Sequence, residues 1–259
     1  MVELSGNNSL ANKRILLIKP MRPEDQFLSL LKNTGAEITH TPVMSIQAIA
    51  ESHAITESQA IKSLILDVDN FHKAIFVSGN AAELALEWLD KYWPMLPLGI
   101  DYFAVGERTA AVLKQVGIQA SHPRGRQNSE ELLQLSQLQQ LDNQRIIIFR
   151  GCGGREILAD TLIERGAAVE YCELYRRVID HQQLQLAQLQ AQTSDCLVVH
   201  SGEQLQAMGA AEALELVDRA VVVPSPRVAM IAQQLGYKRV VSADNALPEA
   251  MLAAVKKSV

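Results

Sequence analysis

The chain has 259 residues, 48% hydrophobic, 20% charged and 5% aromatic, with a net charge of -5 at pH 7. This is the composition of a globular chain long enough for two ordinary domains, and it excludes a disordered one. Scarce aromatics argue against a stacking surface for nucleic acid, and the negative balance against broad binding to DNA or an anionic membrane, while a local anion site remains open.

Residues 1–8 have no basic region and no apolar run, so no secretion signal is expected there. No stretch reaches the roughly 18 apolar residues that a membrane span needs, and a cytoplasmic location is expected. Short apolar runs then alternate with helix-period segments. Strand 14–18 leads into helix 24–33, strand 37–40, helix 56–66, strand 73–77, helix 80–92, strand 102–105 and helices 107–116 and 129–137. Strand 145–149, helix 154–165, strands 168–173 and 195–200, helix 202–210, strand 219–223, helix 226–235, strand 239–241 and helix 246–257 follow. Several of these strands are uninterrupted Ile, Val, Leu and Phe, the mark of a parallel sheet buried on both faces. The alternation predicts βαβ units with right-handed crossovers. Gly35, Gly117, Gly166 and Gly236 stand where helices end and suit a left-handed cap. Ser129, followed by Glu130 and Glu131, reads as a helix start. Segments 127–144 and 181–193 are rich in Gln and Leu, and their leucine spacing predicts amphipathic helices or ordered connections.

The chain also reads as one half written twice. Arg14-Ile15-Leu16-Leu17-Ile18-Lys19 returns as Arg145-Ile146-Ile147-Ile148-Phe149-Arg150. Ile75-Phe76-Val77-Ser78-Gly79-Asn80 returns as Val198-Val199-His200-Ser201-Gly202-Glu203. Val105-Gly106-Glu107-Arg108-Thr109-Ala110 returns as Pro224-Ser225-Pro226-Arg227-Val228-Ala229. Solenoid repeats run roughly 20–50 residues, and this period is longer. The expectation is a duplicated α/β domain, the two copies facing a cleft where a ligand sits.

In open parallel sheets, ligands bind beyond the carboxyl ends of the strands. The turns found there are Lys19-Pro20-Met21-Arg22, Ser78-Gly79-Asn80, Gly106-Glu107-Arg108-Thr109, Arg150-Gly151-Cys152-Gly153-Gly154-Arg155, Ser201-Gly202 and Ser225-Pro226-Arg227. Such turns cap helices, and together their amides, hydroxyls and arginines make an anion site. The glycine-rich turn lacks the Gly-Lys-Ser/Thr ending of a phosphate loop and the spacing of a dinucleotide fingerprint. Carboxylates fit the same donors. Cys152, Cys172 and Cys196 form no metal-type cluster, and this sparse set suggests a reducing compartment. Cys152 reads as a small residue in a turn, with a thiol nucleophile as the sharper alternative. No nucleophile–base pair stands out among the scattered histidines, although His200 ends a strand at a binding turn. Many donors with little acid–base equipment suggest an enzyme that binds and shapes a reactive substrate.

Taken in order, these turns resemble the uroporphyrinogen-III synthase family over nearly the whole chain. The matching pieces are Phe76-Val77-Ser78-Gly79-Asn80-Ala81, Phe103-Ala104-Val105-Gly106-Glu107-Arg108-Thr109-Ala110, the run from Arg150 to Ala159, Glu173-Leu174-Tyr175-Arg176-Arg177 and Ser225-Pro226-Arg227-Val228-Ala229. The resemblance implies a hydro-lyase that cyclises hydroxymethylbilane, a linear tetrapyrrole with several carboxylates, to uroporphyrinogen III. Water is lost and pyrrole ring D is inverted. It implies no cofactor and no metal, and a transient contact with hydroxymethylbilane synthase. It also implies two flavodoxin-like domains, each a parallel sheet flanked by helices, one formed by 1–44 plus 178–259 and the other inserted as 47–175, with linkers near 44–47 and 175–178. A monomer is expected, because no long exposed apolar seam is evident.

By the same resemblance, Tyr175 is the candidate acid for the leaving hydroxyl. Thr109 hydrogen-bonds a substrate carboxylate, and Ser78, Ser201, Ser225, Arg150 and Arg155 are further substrate contacts. The binding turns themselves add Lys19, Gly79, Asn80, Gly151, Gly153, His200 and Arg227 as candidate contacts. The chain departs from the family pattern in having Ile18-Lys19-Pro20 after the first strand, Val77 before Ser78 and His200 before Ser201. Two other readings of the residues are a hinged small-molecule binding or sensor protein and a nucleotide enzyme without its fingerprint.

Overall fold

The computed structural model describes residues 9–21, 25–50, 55–125, 127–154 and 156–259. In chain order it holds β1 (Arg14–Ile18), α1 (Gln26–Lys32), β2 (Glu37–His40), β3 (Met44–Ala48), α2 (Ile55–Leu66), a 3-10 helix at Val68–Asn70, β4 (Lys73–Phe76) and α3 (Gly79–Tyr92). Then come β5 (Asp101–Ala104), α4 (Glu107–Gln115), α5 (Ser129–Leu132), a 3-10 helix at Ser136–Leu138, β6 (Arg145–Gly151), α6 (Ile157–Glu164) and β7 (Ala168–Ile179). The chain ends with α7 (His181–Thr193), β8 (Cys196–Val199), α8 (Gly202–Met208), β9 (Ala220–Val223), α9 (Pro226–Gln234), β10 (Arg239–Ser242) and α10 (Pro248–Ser258). It divides into two compact units, Met1–Ser45 with Val178–Val259, and Ile46–Arg177.

Each unit is built on a 5-stranded sheet, ordered β10-β9-β8-β1-β2 in the first and β3-β7-β6-β4-β5 in the second. The pairs β1–β2, β1–β8, β8–β9, β9–β10, β4–β5, β4–β6 and β6–β7 are parallel. The apolar runs explain why both faces are covered. In β1, Ile15 and Leu17 pack with Phe27, Leu31, Met251 and Val255, while Leu16 and Ile18 pack with Leu205, Met208 and Val228. In β6, Ile146 and Ile148 face Leu132, Leu158 and Leu162, and Ile147 and Phe149 face Ala82, Ala85 and Leu89. Each such side chain contributes about 1.5–3 kcal/mol by leaving water. The helix-ending glycines behave as the sequence implies, with φ of 77° at Gly35, 85° at Gly117, 91° at Gly166 and 89° at Gly236.

The repeat is finer than a halving of the chain. β1–α1–β2, β4–α3–β5, β6–α6–β7 and β8–α8–β9 are each a βαβ unit that starts at a central strand and steps outward. Matching β1 with β6 and β4 with β8, as the sequence does, reproduces the order of four of the five strands, β9-β8-β1-β2 against β5-β4-β6-β7. The edge strand corrects it: β10 lies beside β9, but β3 lies beside β7 rather than beside β5. The arrangement that includes the edges matches β1 with β4 and β8 with β6.

Two expected helices are corrected. The helix expected over 129–137 stops at Leu132, and its cap is Asn128, whose side chain accepts from Glu131 N at 2.8 Å, rather than Ser129. Beyond it, the Arg165 guanidinium donates to the carbonyls of Leu133 and Leu138 at 2.8 and 2.7 Å, and the Gln139 amide donates to that of Leu133 at 2.6 Å. Those carbonyls find side-chain donors, so the segment needs no helical ladder. The helix expected from 154 begins at Ile157, because Gly153 and Gly154 hold φ of 69° and 109°. Residues 44–47 and 175–178, the expected linkers, take strand conformation within β3 and β7, and Ile49 N donates to Leu174 O at 2.9 Å beside them; the two units change over at 45/46 and 177/178. Segment 181–193 forms a helix throughout. Among the described residues no helix is long and apolar enough to cross a membrane.

Gly166 provides a stability test. Its φ is 91°, and an added β-carbon would stand 2.8 Å from Asp142 Oδ1 and 3.2 Å from its Cα. Gly166→Ala is expected to cost more than about 1 kcal/mol, read as a lower urea midpoint at unchanged slope.

Candidate functional site

Strand order reverses between β4 and β6 in one sheet and between β1 and β8 in the other. At such a switch point the neighbouring connections diverge and leave a crevice beyond the carboxyl ends of the strands. In the second unit the residues at that point are Ser78, after β4, and Arg150 with Gly151, at the end of β6. In the first unit they are Lys19, after β1, and His200 with Ser201, after β8.

Ser78, Gly151 and Tyr175 are brought together. Ser78 caps the 14-residue α3, its Oγ accepting from Ala81 N at 3.1 Å. The same Oγ lies 3.1 Å from the Tyr175 hydroxyl. Tyr175 is 1% exposed and Ser78 half-buried. A shift in register sets this up. Arg150 pairs with Glu173 but Gly151 with Tyr175, so β7 bulges by one residue there. A bulge re-aims the following side chain, and the Tyr175 ring lies across Gly151. A β-carbon on Gly151 would stand 2.6 Å from the Tyr175 Cζ. The Cys152 amide donates to the Tyr175 carbonyl at 2.7 Å and closes the turn. Beneath, Phe76 and Phe149 stack with ring centroids 4.8 Å apart and give the pair an apolar floor.

Arg150, a candidate carboxylate partner by its place in the turn, is paired internally. It is 5% exposed, and its guanidinium donates to the carbonyls of Gly151 and Gly153 and to Glu156. It also lies 4.4 Å from the centre of the Tyr171 ring and 3.9 Å from Glu173. It ties down the glycine loop, and Gly153 N in turn donates to Glu173 at 3.2 Å. Burial first, then the hydrogen bond to Glu156, pushes the Tyr171 phenol up to about 12. The Glu156 carboxyl is held below its usual value, chiefly by that phenol. Arg155 lies outside the described residues, as does Arg22. Gly79 and Asn80 form the first turn of α3, half-buried, with open space around the Gly79 α-carbon. Thr109 is buried in the first turn of α4, whose capping residue is Gly106. A side chain at Gly106 would strike Gln127, with its Cβ 2.9 Å away.

In the first unit Lys19 is also occupied. Its Nζ lies 2.9 and 2.6 Å from the two Asp25 oxygens and 5.8 Å from the centre of the Phe27 ring. His200 packs against Phe27 with ring centroids 5.2 Å apart. Ser201 caps α8 and Ser225 caps α9, accepting from Gln204 N and Val228 N at 3.2 and 3.5 Å. Arg227 is exposed in the first turn of α9 and makes no ion pair with the described residues. Of the two described arginines of the expected set, Arg150 and Arg227, it is the one without an ion pair. The acidic partners Asp25, Glu156 and Glu173 stand outside the expected set of site residues. The positions of Asp25 and Glu156, six residues after Lys19 and Arg150, were the available signal.

Burial raises the Asp25 carboxyl, but the Lys19 hydrogen bond, the Leu28 amide and the charges of Lys19 and His200 outweigh it and hold the group below its ordinary 3.8. A carboxyl depressed in the fold stabilises fully above its unfolded value and loses that effect as pH falls through its folded value. The parent is therefore expected to lose this contribution below about pH 4. Asp25→Asn keeps a helix cap and should flatten that part of the acid limb. Urea titrations of parent and variant, from about pH 3 to about pH 7, measure it.

Burial, and then the Glu173 charge, pushes the Cys152 thiol up, and Cys172 reaches about 12. Both shifts work against a nucleophilic thiolate, and the contact Cys152 makes in the turn is its backbone amide on the Tyr175 carbonyl. No His/Cys/Asp/Glu group that could hold a metal ion is found among the described residues.

A family model described as uroporphyrinogen-III synthase HemD matches residues 25–253. The uroporphyrinogen-III synthase of Escherichia coli is 33% identical over 252 residues, covering 93% of this chain and 99% of that protein. The Salmonella typhimurium protein of the same name is 33% identical over 254 residues, with the same coverage of 93% and 99%. Among solved structures, a mutant uroporphyrinogen III synthase from Thermus thermophilus superposes with a TM-score of 0.63 at 18% identity, covering 95% of this chain and 98% of that one. At that identity the likeness concerns the fold, an α/β chain with parallel sheets flanked by helices.

Proposed function

The chain belongs to the uroporphyrinogen-III synthase family, and on that footing we propose that it cyclises hydroxymethylbilane to uroporphyrinogen III in tetrapyrrole biosynthesis. It is a hydro-lyase, releasing water and inverting pyrrole ring D. The observation that carries this reading is 33% identity to a uroporphyrinogen-III synthase across 93% of the chain. Family membership sets aside the sensor and nucleotide readings of the sequence.

The substrate's carboxylates are held by donors rather than by a cofactor. The first-turn amides of α3 at Gly79 and Asn80, the turns at Thr109, Ser201 and Ser225, the amides of Gly151 and Gly153, and Arg227 supply them. Arg155 and His200 remain in this set. Lys19 and Arg150, paired internally, shape the turns that present the donors. Tyr175 supplies the proton that carries off the hydroxymethyl oxygen as water. The resulting azafulvene cation is reactive without further help. The protein's task is to hold it against the substituted carbon of ring D and to keep water away. A spiro intermediate then opens to the inverted ring. Two flavodoxin-like domains, 1–44 plus 178–259 and 47–175, act as a monomer in the cytoplasm, with transient contact to hydroxymethylbilane synthase.

The test is anaerobic consumption of hydroxymethylbilane generated in place. Disappearance faster than the spontaneous rate in buffer, saturating with substrate, is expected. Tight binding of the tetrapyrrole with no acceleration would instead make the chain a binding protein.

A further inference from the structure

The Tyr175 hydroxyl sits at the switch point of the second sheet, yet the residue is 1% exposed. Among the described residues the hydrogen-bond partner of that hydroxyl is Ser78 Oγ, at 3.1 Å. Ser78 is half-buried and reaches the surface at the head of α3. A buried phenol behind a more accessible hydroxyl is the geometry of a relay. We infer that Ser78 is the group that meets the leaving oxygen of the substrate and that Tyr175 acts through it as the proton source. This rests on the synthase reading and on Tyr175 as its acid.

The hydrogen-bond inventory permits the transfer. A serine hydroxyl has one proton to give and two lone pairs. One lone pair takes the Ala81 amide at 3.1 Å. The other is free to take the phenolic proton as Ser78 gives its own away. In the step, Ser78 Oγ–H protonates the hydroxymethyl oxygen and the Tyr175 proton moves to Ser78 Oγ. The carbon–oxygen bond breaks, and water leaves with the bonding pair. The pyrrole nitrogen lone pair closes the azafulvene cation, and Tyr175 is left as a phenolate accepting from Ser78. The proton lost from the substrate when the new ring rearomatises returns by the same path, so no co-reactant is consumed. Ala81 N–H, at the positive end of α3, steadies the serine oxygen throughout. The bulge of β7 and the bare Gly151 hold the phenol in register with Ser78.

The experiment is steady-state kinetics of Ser78→Ala, Ser78→Asn, Ser78→Thr, Tyr175→Phe and the Ser78→Ala/Tyr175→Phe double variant, with a solvent-deuterium proton inventory on the parent. Asparagine keeps the helix cap without a relaying hydroxyl, and threonine keeps both. Ser78→Ala and Ser78→Asn are each expected to lower kcat at least about 10²-fold with KM changed only a few-fold. Ser78→Thr should recover most of that loss. The double variant should be no slower than the single ones, because both remove one path. The parent's inventory should curve, as for two protons in flight. Ser78→Asn at the parent rate with a slow Tyr175→Phe would overturn the relay and leave Tyr175 as the direct acid. Losses that multiply in the double variant would overturn it as well. Tyr175→Phe at the parent rate would remove the acid reading itself. Should Ser78→Ala fail to fold, the contrast between asparagine and threonine decides.

Discussion

Tyr175→Phe is expected to lower turnover about 10²-fold to 10⁴-fold, the range typical of a lost general acid. The lower bound corresponds to about 2.7 kcal/mol of barrier. Folding should barely change. The phenyl ring keeps its place in the core with Phe76, Phe149 and Leu174. One hydrogen bond to Ser78 is lost, worth about 0.5–1.5 kcal/mol, and Ser78 retains the Ala81 amide. The check is kcat beside a urea midpoint on the same preparation. A large rate loss with a nearly unmoved midpoint is the expected pair. A rate equal to the parent's would take Tyr175 out of the chemistry.

The second large effect is expected at a residue with no side chain. Gly151→Ala places a β-carbon 2.6 Å from the Tyr175 Cζ, and real β-carbons essentially never come that close. The ring is buried, and the Cys152 amide fastens the Tyr175 carbonyl at 2.7 Å, so the adjustment must swing the ring away. Overpacking of this kind costs about 1–3 kcal/mol. The hydroxyl would leave Ser78, so turnover should fall toward the Tyr175→Phe level. For stability alone Gly79→Ala is the contrast, because nothing lies within 4 Å of an added β-carbon there. A Gly151→Ala protein with parent turnover would mean that the phenol need not sit where it does.

Much of this fold was legible because its strands are apolar runs. Ile146-Ile147-Ile148-Phe149 and Val221-Val222-Val223 have no polar residue to mislead, and each is buried on both faces. Strand β3 was missed for the opposite reason. Met44-Ser45-Ile46-Gln47-Ala48 alternates apolar with polar and is mostly exposed, and its place comes from its neighbour β7 rather than from its own hydrophobicity. β7 runs on through Arg176, Arg177 and Val178 by the same pairing. The short α5 was misread because Leu133, Leu138 and Leu141 are buried without a shared helix, their segment held by Arg165. In the site, the turn positions were readable from strand ends and caps, whereas the state of their charges was not. Lys19 and Arg150 look like anion hooks until Asp25, Glu156 and Glu173 are found closing on them. Nothing in the spacing of residues 78 and 175 announces a 3.1 Å contact; it requires the sheet that places β4 and β7 on either side of β6.

The central claim is catalysis that controls which ring closure occurs, and the isomer ratio tests it most directly. Hydroxymethylbilane would be generated in place, exposed to the folded protein, and the products oxidised and separated into type I and type III porphyrins. Predominant type III, falling toward type I as Tyr175→Phe replaces the parent, is the predicted result. Type I alone, from protein whose folding has been verified, would contradict the account.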